Sequence, residues 1–95
     1  MHKIWHDRGW NDYLAWQGSG DRRTIKCIIS LIQSIERNGY DCIGNSEPLK
    51  ENLSGWWSVR INEKDRIVFR IVDDKPEIMA CKGHYDMQLL KLGWT

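Results

Sequence analysis

An excess of charge is the first thing this 95-residue chain lacks: fourteen Lys and Arg against thirteen Asp and Glu leave a formal net charge of +1. A protein that holds nucleic acid through bulk charge alone is more basic than that. Any nucleic-acid role must therefore come from locally clustered cations or be completed by another macromolecule. A cysteine pattern is missing too. Cys27, Cys42 and Cys81 are odd in number and form no CxxC, and His2, His6 and His84 add no zinc-ligand spacing. Three free thiols fit a reducing compartment. No apolar run could span a membrane, and Met1-His2-Lys3-Ile4-Trp5 lacks the long apolar core of a signal peptide. The expected location is the cytoplasm, with no membrane partner. Repeats, low-complexity stretches and linkers are absent, and the length allows one small domain with a single core.

What is present is an ordinary globular hydrophobic fraction of 41% and an unusual six Trp. Large aromatics can stabilise a small core, and a surplus of them leaves some to face a partner. Lys3-Ile4-Trp5 reads as a short opening strand. Asp7 is placed to cap a helix carrying Trp10, Tyr13, Leu14 and Gln17, which Gly18-Ser19-Gly20 breaks. Asp21 starts a second helix, in which Ile25, Ile28, Ile29, Ile32 and Ile35 form an apolar stripe, closed at Asn38-Gly39 by a left-handed cap. That stripe is core, not a site.

Residues 40–55 carry scattered Gly, Asn, Ser and Pro and read as a long loop, a length that is often functional. The period then changes to two. Trp57, Val59 and Ile61 alternate with Ser58, Arg60 and Asn62; Ile67, Phe69 and Ile71 alternate with Arg66, Val68 and Arg70. Asp73-Asp74-Lys75-Pro76 reads as a second turn and Glu77 to Lys82 as a third strand. If Val59 and Ile67 are opposite partners, Asn62 to Lys64 is a three-residue hairpin loop and Arg60 faces Arg66 on the other side of the sheet. Strand pairing alone disfavours two adjacent arginines, whereas a phosphate above them would use both. Two helices followed by an antiparallel meander make an α+β domain with the helices on one sheet face and the arginine face open.

The run Glu47-Pro48-Leu49-Lys50-Glu51-Asn52-Leu53-Ser54-Gly55-Trp56-Trp57-Ser58-Val59-Arg60, with Arg66 and His84-Tyr85, supplies a carboxylate, three cations, an imidazole and a phenol. That is the inventory for metal-free phosphodiester cleavage: a base, an acid, and cations for the charge that develops between them. Glu47 by itself would pass for a solvated loop residue, and His84 for a surface histidine at a strand end. Adjacent strand residues point to opposite faces, so His84 and Tyr85 share a cleft only if the strand has ended, as Gly83 suggests.

In order and spacing these segments resemble the YoeB/Txe-type toxins of the RelE superfamily, from bacterial toxin–antitoxin modules. The resemblance runs from Lys3-Ile4-Trp5 to His84-Tyr85. Its densest parts are Glu47-Pro48-Leu49-Lys50, Asn52 to Ser58, Arg60-Ile61, Arg66-Ile67-Val68 and Cys81 to Tyr85. It implies a microbial-RNase-like α+β fold over 1–85, with 86–95 as a C-terminal extension. It also implies a ribosome-dependent endoribonuclease that cuts mRNA in the decoding site by attack of the 2′-hydroxyl, without metal or cofactor. Glu47 matches the general base, His84 the general acid and Arg66 the phosphate-stabilising arginine; Tyr85 could stack on a base or bond to the phosphate. Lys50 and Arg60 match RNA-backbone positions, while Trp57 has core parity and Trp56 is the tryptophan free to line the cleft. The partners implied are a cognate antitoxin, the ribosome with its mRNA, and operator DNA for the toxin–antitoxin complex only. Surplus tryptophans leave room for a homodimer through exposed helix residues such as Trp16. A different class of function is a non-catalytic module that binds antitoxin for operon autoregulation.

Overall fold

In the computed structural model, which describes residues 3–83, the chain runs β1 (Ile4–Trp5), α1 (Asp7–Ser19), α2 (Arg22–Asn38), β2 (Glu47–Pro48), β3 (Trp57–Arg60), β4 (Arg66–Val72) and β5 (Lys75–Ala80). The strands form one sheet in the order β1-β5-β4-β3-β2. All pairs are antiparallel except β1 with β5, which is parallel, so the sheet is mixed. A parallel neighbour needs a long crossover, and here the crossover includes both helices.

α2 starts as its sequence suggests, but it does not end in the left-handed cap expected at Asn38-Gly39, because Gly39 has ψ −129°. The Asp21 carboxylate accepts from the Thr24 N–H at 3.1 Å, and Gly39, at φ 59°, ends the helix while its N–H returns to the Ile35 carbonyl. Its buried face is Ile28, Leu31, Ile32 and Ile35; Ile29, expected within the stripe, is 38% exposed, and Leu31 lies in the core. Asp7 is not the cap of α1. The extended His6 holds that position without a side-chain cap bond, and Asp7 sits in the first helical turn, where a carboxylate favours the helix dipole. α1 approaches β5 closely: a Cβ on Gly9 would lie 2.6 Å from the Ile78 carbonyl oxygen, which requires glycine there. Trp16 faces inward at 8% exposure and its indole N–H donates to the Cys81 carbonyl at 2.8 Å, so it is not the exposed helix residue expected; Trp10 and Leu14 are, at 45% and 48%.

The main core lies between the helices and the sheet, with Val59, Ile67, Phe69 and Ile78 fully covered. Val59 pairs with Ile67 and Arg60 with Arg66, the register expected from a three-residue loop. The next turn is tighter than expected. Asp73 and Asp74 both take positive φ, and β5 begins at Lys75 opposite Val72. Two left-handed residues suffice for a hairpin whose twist matches its strands. Between Phe69↔Ile78 and Val68↔Ala80 the strand carries one extra residue, Met79, as a bulge.

The far sheet face is not wholly open. Val68 and Ala80 are apolar and point that way, and Leu53 and Trp56 cover them, with Leu49 and Met79 at the margin of this second, smaller core. The stretch read as a long loop therefore contains structure: β2 extends the sheet edge, and 3-10 turns occupy Gly39–Asp41 and Glu51–Leu53.

Candidate active site

Two strand pairings build the site. Glu47 lies opposite Ser58, and Arg60 opposite Arg66. Ser58 and Arg60 are two apart on β3, so all four residues fall on one face. It is the face away from the helices, because the intervening Val59 is in the core. With Gly44 and Asn45 they line a cleft of about 360 Å³. Among the described residues, Glu47, Arg60 and Arg66 have no ion-pair partner. Two unit charges about 6 Å apart in water repel by only about 0.7 kcal/mol, a small cost where Arg60 is exposed and Arg66 half-buried. An anion between them would gain charge-assisted hydrogen bonds of about 1.5–3 kcal/mol each. The arrangement suits a phosphate.

Several side chains that were not legible as functional hold Glu47 in place. The Tyr40 ring stacks on Trp57 at 4.6 Å, and its hydroxyl oxygen accepts from the Ile71 N–H at 2.8 Å. Ser46 Oγ donates to the Tyr40 carbonyl at 2.6 Å, and Ser34 Oγ accepts from the Ile43 N–H at 2.9 Å. Gly44 at φ +91° passes so near the core that a Cβ would lie 2.8 Å from Val59 Cγ2. These contacts carry the chain from α2 to the sheet edge, where Glu47 is exposed to solvent. Ser58 could have been found by extending the Arg60 alternation; Tyr40, Ser34 and Ser46 left no local signal.

The arginine pair depends on its turn. Asn62 Oδ1 accepts from the N–H groups of Lys64 and Asp65, both at 2.8 Å, and the Ile61 N–H donates to the Asp65 carbonyl at 2.9 Å. An Asx turn of this kind fixes the loop length and hence the face on which Arg66 emerges.

Two expected RNA contacts are not walls of this cleft. Lys50 is exposed at the head of the Glu51–Leu53 turn. Trp56 is 8% exposed, with the Arg70 guanidinium 4.3 Å over its ring and the His6 ring in a T-shaped contact at 5.3 Å between centroids. A ring already covered offers no free face for a base. His84, Tyr85 and the extension 86–95 lie outside the described residues.

Residues 81–83, just before them, are tied down from two sides. The Cys81 N–H donates to Asp12 Oδ2 at 3.1 Å, the Gly83 N–H to Asp65 Oδ1 at 2.8 Å, and the Arg66 N–H to the Gly83 carbonyl at 3.2 Å. Burial raises the Asp12 carboxyl above its usual range despite that bond from Cys81. Burial, with the charges of Asp12 and Asp65, pushes the Cys81 thiol up to about 12. Across the sheet, Glu77 is held below its ordinary value by the hydrogen bond with His6 and then by Arg70. Among the described residues, no three His, Cys, Asp or Glu side chains gather as metal ligands, and no helix is long and apolar enough to cross a membrane.

Residues 5–85 match the family described as YoeB-like toxin of bacterial type II toxin-antitoxin system. The chain belongs to this family. Toxin YoeB of Escherichia coli strain K12 is 46% identical over 85 residues, which is 90% of this chain and 100% of the relative. The solved YoeB/ParE toxin from Agrobacterium tumefaciens superposes with a TM-score of 0.84 at 34% identity, covering 90% of this chain and 100% of that one. A YoeB-YefM complex from Staphylococcus aureus gives 0.80 at 36% identity, covering 90% and 98%. The protein is thus a YoeB-like toxin of a type II toxin–antitoxin system, with the RelE-like fold expected of it. In this YoeB-like toxin, Glu47, Arg60 and Arg66 come from three strands into one cleft, although 19 positions separate the first from the last in sequence.

Proposed function

We propose that this toxin is a ribosome-dependent endoribonuclease that cleaves mRNA in the decoding site. The observation that carries the reading is the cleft in which a lone carboxylate, Glu47, shares one sheet face with the adjacent pair Arg60 and Arg66. Glu47 takes the proton of the ribose 2′-hydroxyl. The 2′ oxygen attacks the adjacent phosphorus, the bond to the 5′ oxygen breaks, and His84 protonates that leaving oxygen. The products are a 2′,3′-cyclic phosphate and a 5′-hydroxyl. Arg60 and Arg66 hold the non-bridging oxygens, whose charge grows as the phosphorane forms. Tyr85 joins this group at the base or phosphate, and Lys50, exposed two residues beyond β2, contacts RNA backbone further out. No step calls for a metal or cofactor.

A net charge of +1 supports dependence on the ribosome, which would present the message in orientation and spare the toxin a basic tract of its own. A heterotetrameric YoeB-YefM toxin-antitoxin complex from S. aureus supports a cognate antitoxin as partner, and inhibition by it is part of the proposal. Operator DNA enters only through that complex, and a homodimer through exposed helix residues such as Trp10 is a further part of the proposal. The location proposed is the bacterial cytoplasm, with 1–85 as the toxin domain and 86–95 as its extension.

The test is cleavage of a defined message, with and without programmed ribosomes. Glu47→Ala, Arg66→Ala and His84→Ala should each lower the rate by about 10²–10⁴-fold, the usual loss on removing an acid–base group or charge stabiliser. Antitoxin binding should stay near wild type. A wild-type chain that cannot cut ribosome-bound message refutes the enzyme reading and leaves an antitoxin-binding module. Equal cutting of free RNA refutes ribosome dependence.

A further inference from the structure

We infer that Ser58 is a further substrate-contacting residue of this site, its hydroxyl donating to a non-bridging oxygen of the scissile phosphate. The inference rests on the endoribonuclease reading above and deepens it. Ser58 lines the cleft, with Glu47 directly opposite on β2 and Arg60 two residues along β3. Opposite Cβ atoms lie about 4.5–5.5 Å apart, and residues two apart on one strand about 7 Å. On its other sides are Trp56, two residues back, and Val68, opposite on β4, both part of the smaller apolar core. A residue serving that core alone would be apolar, because a covered hydroxyl without a partner is costly. Ser58 is 7% exposed, and among the described residues its hydroxyl has no hydrogen-bond partner. No fully covered side-chain nitrogen or oxygen among those residues lacks a partner, so the hydroxyl keeps an opening, and the cleft is where Ser58 is open. Packing does not account for this hydroxyl; a ligand in the cleft does.

The neighbours decide which ligand atom it meets. Glu47 must reach the ribose 2′-hydroxyl while Arg60 and Arg66 hold the phosphate under attack, so that phosphate lies between them, over Ser58. A lysine or arginine at this position would face Glu47 across the strands and pair with it, drawing the carboxylate away from the 2′ proton. A hydroxyl supplies a donor to the phosphate and carries no charge to quench the base. Its hydrogen bond strengthens as charge grows on the phosphorane oxygens, so its contribution falls on the transition state.

The experiment measures cleavage of three messages on programmed ribosomes. One is ordinary RNA; the others are the two phosphorothioate diastereomers, with sulfur for one or the other non-bridging oxygen at the linkage that wild type cuts. The proteins are wild type, Ser58→Ala and Ser58→Cys, each shown to be folded by its melting temperature. Cysteine keeps the size of serine and lacks its strong donor. On ordinary message each variant should lower kcat by about 10- to 100-fold with KM nearly unchanged, the loss expected for one hydrogen bond to a charged group. Sulfur is a weak acceptor. On the diastereomer that places it at the Ser58 oxygen, the variants should therefore come within about 3-fold of wild type, while the other diastereomer keeps the full loss. A wild type active on ordinary message, with folded variants of equal kcat, overturns the inference alone. So does the same fold-loss on all three messages, which marks a structural role. A wild type inactive on ordinary message overturns the catalytic reading itself, and the inference with it.

Discussion

Replacing Glu77 by glutamine should destabilise the toxin without disabling it, and the loss should shrink in acid. Glu77 Oε1 receives bonds from His6 Nε2 at 2.9 Å and from Arg70 Nε and Nη2 at 3.3 and 3.1 Å, linking the start of α1, β4 and β5. The carboxylate side chain is 11% exposed, but the His6 and Arg70 side chains are 37% and 40% exposed. Hydrogen bonds to a charged group contribute about 1.5–3 kcal/mol, and solvent-exposed ion pairs about 0–1 kcal/mol. A buried acceptor with half-wet donors falls between, and glutamine keeps one acceptor oxygen, so the expected loss is about 1.5 kcal/mol. For a domain of this size that lowers the melting temperature by roughly 6–12 °C. The pH dependence has a definite sign. Glu77 is ionised in the fold below its unfolded value of 4.5, so its contribution is complete above about 4.5 and disappears as pH falls through the lower folded value. Thermal melts of both proteins from pH 7 to pH 3 provide the assay. Equal melting temperatures at pH 7, or a gap as wide at pH 3 as at pH 7, would refute the account of this cluster. The cleavage proposed above, measured on programmed ribosomes at a temperature where both are folded, should be unchanged, since the cluster lies apart from the arginine cleft.

Two other outcomes follow from the packing. Gly44→Ala puts a Cβ 2.8 Å from Val59 Cγ2 at φ +91°, and overpacking plus left-handed strain should lower stability by about 2–4 kcal/mol in urea titration, with cleavage reduced because the loop carries Glu47; an unaltered urea midpoint would contradict the close approach. Of the three cysteines, Cys81 is fully buried with its thiol pushed up to about 12, and Cys42 is buried and also raised, while Cys27 is only half-buried. Brief alkylation of the native protein at pH 8, read by peptide mass spectrometry, should therefore label Cys27 first, and early labelling of Cys81 would show that its surroundings open.

Local rules carried the reading a long way in two places. The α2 stripe was visible because burial on a helix repeats every three or four residues, and only Ile29 and Leu31 exchanged roles: the buried arc also takes in Ser34, which puts Leu31 inside it and Ile29 outside. The Arg60–Arg66 pairing was visible because alternation and one turn length determine a register. The catalytic expectation at Glu47 came from the motif, not from its surroundings: nothing local indicates that Tyr40, Ser34 and Ser46 hold its loop. Trp56 lies elsewhere than its motif position suggests for a related reason. The motif offers two adjacent tryptophans, and parity buries Trp57. The burial of Trp56 depends on Val68 and Ala80, apolar residues of two other strands that need a cover.

By itself the amino-acid sequence determined the order of the two helices and of β1, β3, β4 and β5, the hairpin that pairs the two arginines, and the family to which the chain belongs. These follow from periodicity, turn chemistry and motif spacing, all properties of short segments. Only the tertiary structure decided which faces are covered and what is held beside what. It put Trp56 beneath Arg70, set Glu47 at the sheet edge opposite Ser58, and closed Gly83 onto Asp65 and Arg66. Each of those contacts joins segments that are distant in sequence or turn on a competition for one face, and no local pattern records which partner wins.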